Sequence, residues 1–83
     1  MSNKLRIAVI GAGRMGGFHT RVCAANPDVQ LIAVIDTDLP RAAAVAEKYH
    51  VPAAPTIDTY LAQLDAVIVA GRLPIRTRDL FSD

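Results

Sequence analysis

The apolar residues of this chain fall into blocks whose spacing alternates between that of a strand and that of a helix. Leu5 to Ile10 is apolar almost throughout and β-branched at Ile7, Val9 and Ile10, the pattern of a strand covered on both faces. Arg6 stands near its start, where a charge still reaches water. Gly11-Ala12-Gly13-Arg14-Met15-Gly16 breaks the strand, and apolar residues then recur in steps of three and four at Met15, Phe18, Val22 and Ala25. That spacing predicts a helix with those side chains on its inner face, ended by the turn residues Asn26-Pro27-Asp28. Val29 to Ile35 reads as a second strand, closed by Asp36. Asp38 is placed to cap a second helix with Pro40 in its first turn. That helix runs to about Tyr49, with Ala42, Val45, Ala46 and Tyr49 facing inward. Val51 to Ala54 fits a short edge-type strand, because Pro52 and Pro55 forbid full pairing. Asp58 is expected to cap a short helical turn carrying Tyr60, Leu61 and Leu64, and Ala66 to Ala70 reads as another buried strand.

The order is β-α-β-α-β-(α)-β. Right-handed crossovers turn it into a parallel sheet with the first strand in the middle and helices on the faces. The expected strand order is 3-2-1-4, which is a partial Rossmann fold of the α/β class in one domain over residues 1–70. Residues 71–83 form an atypical tail. Only Phe18, Tyr49, Tyr60 and Phe81 are aromatic, so Val, Ile, Leu and Ala must build the core.

The chemistry lies in the interruption after the first strand. Gly11-x-Gly13-x-x-Gly16 follows a strand and opens a helix, the setting in which three spaced glycines cradle a pyrophosphate. The first allows the tight turn, the second lets the phosphates approach the backbone, and the third lets helix and strand pack closely. The helix start then presents free N–H groups and the positive end of its dipole. Asp36 lies twenty residues past Gly16 at the carboxyl end of the second strand, where a carboxylate accepts hydrogen bonds from the adenosine ribose. A 2′-phosphate would be repelled there, so NAD is expected over NADP, unless Arg41 swings in to soften the preference. Arg14 is either a pyrophosphate contact or a solvated side chain. His19 is expected to be an ordinary helical residue, and Asp65 to end a turn without chemical work.

Composition narrows the alternatives. With 52% hydrophobic and 20% charged residues the chain is globular rather than disordered. Its formal net charge of +1, and a basic run at Arg72, Arg76 and Arg78 without interleaved aromatics, give no nucleic-acid site. The longest apolar run is too short to span a bilayer. His19 and His50 have no partner at metal-ligand spacing, so no metal site is expected. Nor does any nucleophile–base arrangement point to catalytic residues. Cys23 is alone, a buried thiol on a helix, and with no signal-peptide pattern after Met1 the expected location is the cytoplasm.

Beyond these features, Lys4-Leu5-Arg6-Ile7-Ala8-Val9-Ile10-Gly11-Ala12-Gly13-Arg14-Met15-Gly16 followed by His19 resembles the start of the glucose–fructose oxidoreductase and inositol dehydrogenase family. The likeness continues through Asn26 to Leu31, Val34-Ile35-Asp36, Ala46 to Tyr49 and Asp65 to Ala70, and within the family Arg14-Met15 looks most like inositol 2-dehydrogenases. The resemblance implies that Gly11, Gly13, Arg14, Met15 and Asp36 bind NAD(H) and that Ala70 borders the nicotinamide-side loop. It also implies hydride transfer from a sugar or cyclitol hydroxyl, using a later Glu-Lys-Pro lysine and a later Asp/His pair that this sequence does not contain.

From Gly71 the family pattern of Thr-Pro followed by His gives way to Gly71-Arg72-Leu73-Pro74. A shifted reading frame can spell Thr-Pro-Pro-Asp-Thr-His-Ala-Arg there, and the expectation is an out-of-frame tail with a premature stop. Three readings follow. The first is an NAD(H)-binding fragment of a sugar or cyclitol oxidoreductase, inactive alone. The second is a truncated unit that self-associates as a homodimer through an open edge at Ala66 to Ala70. The third, a sensor of NAD redox state, lacks residues for a response surface.

Overall fold

The computed structural model describes residues 4–69 together with 75 and 76, and for Arg14, Met15, Ile75 and Arg76 only the backbone. Strand β1 (Leu5–Ile10) leads into helix α1 (Arg14–Ala25), β2 (Val29–Ile35), α2 (Leu39–Glu47) and the two-residue β3 (Ala53–Ala54). A 3-10 turn at Leu61–Gln63 precedes β4 (Ala66–Val69), and β5 (Ile75–Arg76) follows. The sheet order is β3-β2-β1-β4-β5. The first four strands are parallel and reproduce the expected 3-2-1-4 arrangement.

Strand β5 runs antiparallel to β4, pairing Ile75 with Val67 and Arg76 with Ala66. The outer edge of β4, expected to be open, is therefore occupied at those two residues from within the chain. Two residues carry no periodic signal, which is why the pattern of the sequence did not announce this strand. Ala70, assigned to β4 from the sequence, lies outside the described residues, as do 71–74 and 77–83.

Helices α1 and α2 share one face of the sheet. There Ile7, Val9, Ala66 and Ile68 pack with Cys23 of α1. Beside them Val34, the neighbour of Val9, packs with Ala42 and Ala46 of α2. The other face, with Ala8, Ala33, Ile35 and Val67 at its centre, is covered by Ile57, Tyr60 and Leu64 from the segment around the 3-10 turn. Val9, Val34 and Val67 are fully buried, and each side chain of that size contributes about 1.5–3 kcal/mol of hydrophobic burial. No described helix is long and apolar enough to cross a membrane.

The buried face of α1 differs from the predicted one. Phe18 and Val22 are 48% and 47% exposed, and Ala25 is exposed as well, whereas Gly16, Thr20 and Cys23 point inward. The third glycine sets the rotation: a Cβ at Gly16 would overlap the Gly11 carbonyl, so this position must lie against the β1 turn. Thr20 and Cys23, four and seven residues on, follow it inward. Thr20 meets the polar demand of its burial by donating its hydroxyl to the Gly16 carbonyl at 2.7 Å. Burial also pushes the Cys23 thiol pKa up.

Strand β2 carries a bulge. Ile7 pairs with Leu31 and Ala8 with Ala33, leaving Ile32 as the extra residue. At its far end α2 starts as expected, with Asp38 accepting from the Arg41 N–H at 3.3 Å. It closes at His50, whose φ of 58° is left-handed. His50 N–H donates to the Glu47 carbonyl and Val51 N–H to that of Ala46, the paired bonds of a Schellman ending. Asp58 does not cap the 3-10 turn; Tyr60 takes that place, and the Asp58 N–H donates to Thr56 Oγ1 at 3.4 Å. The turn begins at Leu61, two positions further along the chain than a cap at Asp58 would require.

Candidate functional site

The crossover from β3 to β4 returns across β1, so the chain changes winding direction between β1 and β4. The crevice outside the carboxyl ends of strands at such a point is where open α/β sheets bind ligands. The glycine-rich turn stands there. Gly11 has a φ of 97°, which a residue with a Cβ rarely adopts, and its N–H still donates to the Ile35 carbonyl at 2.7 Å. The turn thus leaves β1 while bonded to the end of β2. Gly13 is the N-cap of α1 and supplies no capping side chain, and no acidic residue stands in the first turn. Among the described residues nothing lies within 4 Å of where a Gly13 Cβ would be. The backbone is open to an approaching group at the point where the helix N–H groups emerge.

Asp36 joins this loop directly. Its Oδ2 accepts from the Ala12 N–H at 2.9 Å, and its Oδ1 accepts from the Asp38 N–H at 2.9 Å. Its own N–H donates to the Ala54 carbonyl of β3, so its backbone is fixed by the sheet. The hydrogen bonds from Ala12 and Asp38 hold the Asp36 carboxyl pKa below its ordinary value; partial desolvation opposes this, and Arg41 reinforces it. Arg41 itself pairs with Asp38, Nε to Oδ2 at 3.6 Å, and is largely exposed.

Of the residues singled out from the sequence, Gly11, Gly13, Gly16 and Asp36 come together at one end of the sheet. Arg14 and Met15 occupy the first turn of α1, with side chains outside the described part. Ala12 was not singled out, although its N–H is the link to Asp36 and its methyl packs with Val34, Ala42 and Ala46. Its position between two of the spaced glycines was the available signal. His19 is half-buried on α1, edge-on to Phe18 at 5.7 Å, and its Nε2 is shielded without a hydrogen-bond partner among the described residues. Asp65 is bonded to Arg6 at the opposite end of the sheet. Among the described residues no three His, Cys, Asp or Glu side chains converge as a metal site would require.

Residues 5–75 match the model of an oxidoreductase family with an NAD-binding Rossmann fold. The chain is 42% identical over 65 residues to a UDP-N-acetylglucosamine 3-dehydrogenase of Acidithiobacillus ferrooxidans, covering 78% of this chain and 20% of that protein. An inositol 2-dehydrogenase of an Arthrobacter species is 48% identical over 48 residues, or 57% of this chain and 14% of that one. Among solved structures, GenD2 from gentamicin A biosynthesis in complex with NAD superposes with a TM-score of 0.76 at 36% identity, over 81% of this chain and 20% of that one. A myo-inositol dehydrogenase from Corynebacterium glutamicum gives 0.73 at 34% identity, over 83% and 21%. The chain spans about a fifth or less of the length of these relatives. With the family model covering residues 5–75 and the expected sheet order present, the chain belongs to the oxidoreductase family with an NAD-binding Rossmann fold.

Proposed function

We propose that this chain binds NAD(H) through Gly11, Gly13, Arg14, Met15, Gly16 and Asp36, with NAD preferred over NADP. The observation that carries the reading is the Asp36 carboxylate held 2.9 Å from the Ala12 N–H, which sets a ribose acceptor beside an open phosphate loop. Each carboxylate oxygen has spare lone pairs for ribose hydroxyls after taking one backbone N–H. A 2′-phosphate would meet an ionised carboxylate there, while Arg41, whose charge acts on Asp36, is engaged with Asp38. The open space over Gly13 and the uncapped start of α1 fit a pyrophosphate. The relative crystallised with NAD supports the choice of cofactor.

Bound NAD supplies a hydride acceptor, and this chain's part is to hold and orient its adenosine and pyrophosphate. Substrate contact and proton transfer fall to other residues, as in an oxidoreductase of a sugar or cyclitol hydroxyl, so the 83-residue chain alone is inactive in this reading. Its single buried thiol suits a reducing compartment, and the reading is of a cytoplasmic protein. Titration of the chain with NAD(H), followed by backbone amide shifts, tests it. Saturable shifts at residues 11–17, weakened in Asp36→Ala, are expected; no shifts at millimolar ligand would refute it.

Self-association is a second reading, now favoured by exposed Phe18 and Val22 on α1 more than by the β4 edge. Sedimentation equilibrium at micromolar concentration decides it, and a monomer would end it.

A further inference from the structure

The Asp36 carboxylate has two backbone partners before any nucleotide is present. One belongs to its own turn, the Asp38 N–H; the other, the Ala12 N–H, lies in the phosphate loop, 24 positions away in the chain. Ala12 is 5% exposed, and its methyl is wedged among Val34, Ala42 and Ala46. Gly11, one residue earlier, is bonded to the Ile35 carbonyl, and Gly16 abuts the Gly11 carbonyl. The first half of the loop is thus held from the β2 side at Gly11 and Ala12, while Gly13 stands exposed just beyond. A charged acceptor on a backbone N–H is among the stronger hydrogen bonds available to a loop. Without it the Ala12 N–H has no other acceptor in the described structure and must turn to find one.

We propose that Asp36 is a positioning residue for the pyrophosphate loop as well as a ribose acceptor, its carboxylate setting the Gly11–Ala12 peptide through the Ala12 N–H. The inference rests on the dinucleotide reading and deepens it, because it couples the two halves of the site through one side chain. Replacing Asp36 to admit a 2′-phosphate would then loosen the pyrophosphate half at the same time.

Inorganic pyrophosphate, which has no ribose, separates the two roles. Asp36→Ala removes a negative charge, and on charge alone it would tighten pyrophosphate binding. Loss of the loop's anchor acts in the opposite direction. The expected result in the full chain is weaker pyrophosphate binding, read from amide shifts at residues 11–17, together with exchange of the Ala12 amide faster by about tenfold or more. The Gly11 amide, bonded to Ile35, should keep its protection and so show that the variant is folded. Unchanged Ala12 exchange, or tighter pyrophosphate binding, would overturn the proposal and leave Asp36 a ribose contact only. If the unaltered chain responds to neither NAD(H) nor pyrophosphate, the dinucleotide reading fails, and Ala12 exchange alone then decides whether the carboxylate holds the loop.

Discussion

Arg6 and Asp65 grip each other with backbone and side chain together. The Arg6 N–H and Nε both donate to Asp65 Oδ2, at 2.9 and 3.2 Å, and Nη2 donates to Oδ1 at 3.2 Å. In return the Asp65 N–H donates to the Arg6 carbonyl at 2.8 Å. The pair ties the start of β1 to the residue before β4, across the boundary where the sheet changes winding direction. It also raises the pKa of the Arg6 guanidinium, through the hydrogen bond first and the charge second. Asp65→Ala is expected to lower the melting temperature by several degrees, because the Arg6 N–H loses its carboxylate too. Arg6→Met, which keeps that backbone bond, should lose less, and added salt should narrow the gap between wild type and Arg6→Met. Equal losses in the two variants would show that the charges alone matter.

The second and third glycines of the loop should separate folding from binding. An Ala Cβ at position 16 would overlap the Gly11 carbonyl, so Gly16→Ala is expected to cost about 3 kcal/mol in chemical denaturation. Gly13→Ala meets nothing within 4 Å among the described residues and should cost only about 0.5–1 kcal/mol as a poorer N-cap. Its methyl nevertheless occupies the space over the loop, and NAD(H) binding should weaken by about tenfold or more. A Gly13→Ala protein that binds as tightly as the parent would place the pyrophosphate elsewhere.

The end of α2 can be improved. His50 holds a left-handed conformation that glycine adopts without steric cost, and the two Schellman bonds need only its backbone. His50→Gly should raise stability by about 0.5–1 kcal/mol, the relief of the left-handed strain less the extra freedom glycine gives the unfolded chain. Thermal denaturation checks this, and a fall in stability would mean that the imidazole makes a contact worth more than the strain.

Acid should act on the loop through Asp36. Its carboxyl pKa in the folded chain lies below the unfolded value of about 3.9, so its contribution to stability is present in full above that value. The contribution is lost as pH falls through the lower, folded-state value. Melting temperatures measured from pH 6 down to about pH 2 should fall less steeply for Asp36→Asn than for the parent. Parallel curves would show that the carboxylate is no better placed in the folded chain than in the unfolded one.

The elements most legible in the sequence were those built from unbroken apolar runs. Strand β2 is found at Val29–Ile35 as read, and the Asp38 cap and the inward Ala42 and Ala46 of α2 follow their pattern. That Asp36 stands beside the glycine turn was legible because its spacing from Gly16 and its place at a strand end agree. The inner face of α1 was misjudged because the residue that sets the helix rotation is Gly16, which has no side chain to register in a hydrophobic pattern. The next inward residue, Thr20, is polar and is satisfied by a bond to its own helix. Strand β5 and the partner of Asp36 were hidden for another reason: both depend on backbone N–H groups of distant segments, and backbone donors look alike in every sequence.

The doubled position at Ile32 bears on how this strand can vary in length. Ile32 and Ala33 both pack with the cluster on the face away from the helices, while Leu31 and Val34 stay in step with Ile7 and Val9. A chain lacking Ile32 would close the ladder into regular pairing with every other side chain on its present face. The loss of one residue is therefore absorbed midway along the strand, and Gly11 still meets Ile35 with Asp36 next to Ala12. The end beside the glycine turn is insulated from such a change, so β2 can shorten by one residue without moving the carboxylate.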